Sequence, residues 1–106
     1  MDLLRNFEEL MARIRGRDRI TLSVAVAQDE EILQAVKDAH EQGVADAILV
    51  GDEGLIRPMA QRAGLPSSMR IVHEIDPYAA ADAAVRLVRD GEAQVLMKGL
   101  STAAAF

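Results

Sequence analysis

Cysteine and tryptophan are missing from all 106 residues. Without cysteine there is no disulfide framework, no thiolate zinc site and no cysteine nucleophile. Positive charge is scarce: twelve Lys and Arg against seventeen Asp and Glu leave a net charge of −5, and only Lys37 and Lys98 are lysines. An acidic chain with no run of basic residues is a poor partner for nucleic acid or an anionic membrane. Long apolar runs are absent too, since the longest falls well short of the ~20 residues a membrane span needs. The opening Met1-Asp2-Leu3-Leu4-Arg5 lacks the basic-then-apolar order of a signal peptide. What is present is a composition that is 50% hydrophobic and 27% charged, enough to build a packed core rather than a disordered chain. The expectation is a single, soluble, cytoplasmic α/β domain over residues 1–106, or part of a larger one.

Periodicity divides the chain. Leu3, Phe7, Leu10, Met11 and Ile14 recur at steps of three and four, which predicts an amphipathic helix over 2–17 closed by Gly16. The apolar, β-branched run Ile20 to Ala27 predicts a strand buried on both faces. Asp29 is a helix cap ahead of Ile32, Leu33, Val36 and Ala39, and Gly43 ends that helix. The unit repeats in outline. A strand over 46–50 reaches Gly51, and Asp52 opens a helix through Ile56, Met59 and Ala63 whose start Pro58 should make irregular. Residues 70–74 read as a third strand. Asp76-Pro77 caps an alanine-rich helix that should bury Ala81, Ala84, Val85 and Val88. Residues 94–97 read as a fourth strand.

Strands alternating with helices imply right-handed crossovers and a parallel sheet covered on both faces, a three-layer α/β fold. Ala103-Ala104-Ala105-Phe106 reads as the first turn of a helix with no cap or closing glycine. The expectation is therefore an N-terminal piece of a longer protein; the alternative is a compact domain whose last helix frays.

Ligands of open parallel sheets bind beyond the carboxyl ends of the strands. That selects four loops, 27–30, 51–54, 74–77 and 98–102. The last one joins Lys98, Gly99, Ser101 and Thr102 at a helix start, where free N–H groups, the helix dipole and an ammonium favour an anion. The plainer alternative is Ser101 as a cap and Lys98 as a surface cation. Gln28-Asp29-Glu30 offers ligand contacts or simple capping, as does Gly51-Asp52-Glu53. His73, at a strand end, is a candidate base or a structural histidine. With His40 it forms no metal-ligand spacing, so no metal is expected. G-x-G-x-x-G is absent after the first strand, and G-x-x-x-x-G-K-[ST] is absent altogether, which disfavours dinucleotide and P-loop sites. A phosphorylation receiver needs an aspartate ending its third strand, where this chain has His73-Glu74.

Val24 to Glu30 followed by Ala35-Val36, then Gly43 to Asp52, then Met97-Lys98-Gly99-Leu100, resemble in order the phosphate acetyl/butyryltransferase family, nearest its butyryltransferase branch. The resemblance implies an enzyme that exchanges coenzyme A for inorganic phosphate on a short-chain acyl group. It further implies two α/β domains of the isocitrate/isopropylmalate dehydrogenase kind with the active site between them. Coenzyme A and phosphate would be substrates, with no tightly bound cofactor, and the full-length enzyme would be a homo-oligomer that binds neither nucleic acid nor membrane. The family's catalytic residues would lie beyond Phe106, so none is assigned within the chain. Lys98, Gly99, Ser101 and Thr102 would then face the phosphate, with Gln28 as a wall. In the family a threonine usually stands five places after the lysine, where this chain has Ala103, with Thr102 one place earlier. The rival class is a stand-alone α/β anion-binding or interaction domain without catalysis.

Overall fold

In the computed structural model, residues 19–98 are described; the expected helix over 2–17, and Gly99, Ser101 and Thr102, lie outside the described residues. The order is β1 (Ile20–Ala25), α1 (Glu30–Glu41), β2 (Ala45–Gly51), α2 (Glu53–Ala63), β3 (Arg70–His73), α3 (Pro77–Arg89) and β4 (Val95–Lys98). The four strands form one sheet in the order β3-β2-β1-β4, and every pairing is parallel.

Alternation along the strands sends successive side chains to opposite faces, and a different helix layer covers each. Leu22 and Val24 of β1 and Leu49 of β2 pack on one face against Ile32, Leu33 and Val36 of α1 and Ile56 and Ala60 of α2. Ala25, Ile48 and Val50 face the other way, against Ala80, Ala84 and Leu87 of α3. The architecture is thus a three-layer α/β sandwich with β1 and β2 inside and β3 and β4 at the edges. Ser23 is the one buried polar side chain among the described residues, and its Oγ donates 2.8 Å to the carbonyl of Ala84. An alanine seam lets α3 come close enough to the sheet for that bond.

Three expectations change in detail. β1 ends at Ala25 rather than Ala27, because Val26 turns into the left-handed region with φ +53°. Val85 is 44% exposed, since Ala80, Ala84 and Leu87 form the seam and place Val85 on the outer flank; Val88 is half-buried. Finally, α2 starts regularly at Glu53 and runs through Pro58 without a break.

Candidate functional site at the strand ends

Chain reversal in strand order marks the ligand-binding crevice of an open parallel sheet. Here β1, β2 and β3 step outward in one direction, then β4 returns to the other side of β1. The loops after β1 and β4 consequently diverge at the carboxyl edge. Gln28 stands in the first. Lys98 is the last residue of β4, paired in register with Ala25. Two side chains seventy positions apart in sequence are thereby brought to neighbouring strand ends. Lys98 is exposed, and it makes an interaction of its own.

The β1 loop is built by an unusual backbone. A β-branched residue at positive φ is a steric outlier, and Val26 is also 6% exposed, so packing holds it there. The turn aims the Ala27 N–H at the Val50 carbonyl, 2.9 Å away, and lays residue 28 across the end of β2. Gln28 Oε1 accepts from the Asp52 N–H at 3.4 Å. Gly51 makes the space: with φ +154°, a Cβ there would stand 2.2 Å from Gln28 Oε1 and 3.3 Å from the Ala27 nitrogen.

Carboxylates cap the three helices that start at this edge. Asp29 Oδ1 accepts from the N–H groups of Glu31 (2.9 Å) and Ile32 (3.3 Å). Asp52 Oδ1 accepts from Gly54 N–H at 3.0 Å, and Asp76 Oδ2 from Ala79 N–H at 2.8 Å. These side chains satisfy orphan backbone donors and place negative charge at the positive dipole ends. An incoming anion is therefore disfavoured at α1, α2 and α3, whereas β4 ends at this edge on a lysine.

Both histidines make local structural contacts. His73 Nδ1 accepts from the Glu53 N–H at 3.1 Å, a structural contact at the start of α2. His40 lies at the opposite, amino-terminal edge, with Nδ1 3.3 Å from Asp46 and 2.8 Å from an Arg19 guanidinium nitrogen. That guanidinium nitrogen can only donate, so Nδ1 turns its lone pair to Arg19. Among the described residues no group of three or more His, Cys, Asp or Glu is placed to hold a metal ion. Glu53 pairs with Arg57 one turn along α2, and this hydrogen bond and charge hold its carboxyl below the usual range.

Sequence reasoning singled out Gln28 and Lys98, which stand at neighbouring strand ends on the carboxyl edge, but not the parts that position Gln28. A glycine after an apolar strand signals close backbone approach. The left-handed valine has no such signal, because its residue type argues for continued strand.

No protein-family model matches the chain. Individual proteins do. The chain is 41% identical over 105 residues to a phosphate butyryltransferase of Clostridium acetobutylicum, covering 98% of this chain and 35% of that protein. It is 44% identical over 103 residues to a phosphate butyryltransferase of Clostridium beijerinckii, covering 96% and 34%. A phosphate acetyltransferase of Rhizobium meliloti is 34% identical over 94 residues, covering 88% and 30%. The chain thus spans about a third of the length of the curated relatives it matches.

Proposed function

We propose, from a chain whose curated relatives are phosphate butyryl- and acetyltransferases, that it is the N-terminal part of a phosphate acyltransferase. The reaction is acyl-coenzyme A plus phosphate to acyl phosphate plus coenzyme A. The observation that carries the reading is the switch point between β1 and β4, which supplies one wall of a cleft with Lys98 and Gln28 on it. The opposite wall, and the residues that handle the coenzyme A thiol, belong to a second α/β domain of the dehydrogenase-like kind. Coenzyme A and phosphate act as substrates with no tightly bound cofactor. The full-length enzyme is a cytoplasmic homo-oligomer that binds neither nucleic acid nor membrane; among the described residues no helix is long and apolar enough to cross one.

In this reaction a phosphate oxygen attacks the thioester carbonyl carbon. A C–O bond forms, the C–S bond breaks, and the electron pair leaves on sulfur, which takes up the proton that the attacking hydrogen phosphate gives up and departs as free coenzyme A. A dianion must be held beside an acyl group while water is kept out, so orientation and charge neutralisation provide most of the catalysis. Lys98, with Gly99, Ser101 and Thr102 after it, holds the phosphate.

The test is steady-state kinetics of the full-length protein that carries this chain, with phosphate varied at saturating acetyl-, propionyl- or butyryl-coenzyme A. Lys98→Ala removes one charge-assisted contact, on the order of 1.5–3 kcal/mol or one to two decades in kcat/KM. The loss should appear mainly as a raised KM for phosphate, because the charge is felt in ground and transition states alike. An unchanged KM and kcat would remove Lys98 from the site. Coenzyme A release that does not require phosphate would overturn the acyltransferase reading itself.

A further inference from the structure

We propose that Gln28 donates a hydrogen bond to the carbonyl oxygen of the acyl group and that Gly51 is the residue that positions it, an inference that rests on the acyltransferase reading above. A carboxamide has an accepting oxygen and two N–H donors. Gln28 spends its oxygen on the Asp52 N–H, and among the described residues no protein atom accepts from its Nε2. The missing side chain at position 51 makes room for this orientation. Any Cβ at position 51 would meet Gln28 Oε1 at 2.2 Å, Ile56 Cδ1 at 3.1 Å and the Ala27 nitrogen at 3.3 Å. Only glycine leaves the amide its place. The result is a half-buried amide, fixed through its oxygen, with its NH2 end left for a ligand at the carboxyl edge.

Charge decides what that ligand group is. Asp29 follows Gln28 directly, and Asp52 supplies the N–H that holds it; both carboxylates are kept in place as helix caps. A phosphate dianion next to Gln28 would face both. A carbonyl oxygen faces them too but is neutral when bound and gains a single charge only transiently. They therefore oppose it far less than a dianion, and a neutral amide is a fitting donor for it. Lys98 ends the strand on the other side of β1, so the crevice is divided, with the anion toward β4 and the acyl carbonyl toward β1. As the phosphate oxygen adds to the carbonyl carbon, the C=O electron pair moves onto oxygen, and it returns as the C–S bond breaks. A donor already aimed at that oxygen binds it more tightly in the transition state than in the ground state.

Gln28→Glu is the discriminating variant, because it keeps the length and the acceptor for the Asp52 N–H while removing the donor. In the full-length protein, kcat with acyl-coenzyme A should fall by about a hundredfold, while KM for phosphate changes by less than about threefold. Activity relative to the unsubstituted protein should recover as pH falls through the carboxyl range, since the protonated acid regains an O–H donor. Gly51→Ala should lower kcat by displacing the amide, and should cost markedly less kcat in a Gln28→Ala background, where only the backbone and Ile56 clashes remain. Three results overturn the proposal: an unaltered kcat in Gln28→Glu, a defect confined to phosphate KM, or a Gly51→Ala kcat loss as large without Gln28 as with it. Absence of phosphate-dependent coenzyme A release from the unsubstituted protein brings down this inference and the acyltransferase reading together. Release that is insensitive to Gln28 brings down this one alone.

Discussion

Val26 sets two local terms against each other. Its left-handed φ costs roughly 1–2 kcal/mol for a residue with a Cβ, and more for a branched one, while burying its side chain contributes roughly 1.5–3 kcal/mol. At an ordinary strand position glycine is worse than alanine by roughly 0.5–1 kcal/mol. At position 26 the order should reverse or vanish: Val26→Gly and Val26→Ala both lose packing, but only glycine relieves the backbone. Urea midpoints of the two variants check this, and a Val26→Gly protein clearly less stable than Val26→Ala would mean the residue is not left-handed. The exposed Glu53–Arg57 pair makes a second prediction at this scale. Because the folded carboxyl lies below its unfolded value, its small contribution is present above the unfolded pKa and fades as pH falls through the folded one. Arg57→Ala should move the Glu53 titration upward, as read from its carboxyl carbon shift by NMR. No upward movement would show that the pair is not formed in solution.

Among the elements, α2 is the one built against its own propensities. Pro58 is its sixth residue, deep enough to remove the bond to the Gly54 carbonyl and to crowd that oxygen. Both residues are exposed, so the proline contributes little packing to offset this. Replacement by alanine should stabilise the protein by about 1–3 kcal/mol, the upper end being the full interior-proline penalty and the lower end allowing for the looser unfolded chain. A thermal melt of Pro58→Ala that falls rather than rises would mean the ring supports the β2–α2 corner.

That helix also shows what the residues disclose locally and what they do not. Asp29, Asp52 and Asp76 were legible as caps because capping needs only near neighbours, and the β-branched runs were legible as strands for the same reason. Pro58 was misjudged because packing of Ile56 and Ala60 against the sheet outweighs the local penalty. Val85 was misjudged because helical spacing gives a face but not its rotation against the sheet. The carboxyl edge, with Gln28 and Lys98 on it, followed from strand direction alone. Their place at neighbouring strand ends did not, since the position of β4 beside β1 is a long-range fact that no local pattern carries. Nor did the role of Gly51, which depends on a side chain twenty-three positions earlier in the sequence reaching it across two strand ends.

For the whole molecule, the decisive feature is that the proposed site sits on an open edge. Gln28, in the loop after β1, and Lys98, the last residue of β4, stand at the rim of a four-stranded sheet, and among the described residues no element crosses over that rim. Phosphorolysis of a thioester competes with hydrolysis in ~55 M water, so a surface that orients phosphate without excluding solvent gains little over free solution. Weak anion affinity needs only one wall, whereas catalysis needs two. The isolated 106-residue polypeptide should therefore show no measurable phosphate-dependent release of coenzyme A. The full-length protein should show it, and should lose it when a stretch matching the remaining two-thirds of the relatives is removed. A thiol-trapping assay on the purified 106-residue polypeptide, run with butyryl-coenzyme A and with phosphate present or absent, decides the matter. Release that requires phosphate and disappears in Lys98→Ala would place the entire active site on this one sheet edge, and the two-walled cleft would have to be abandoned.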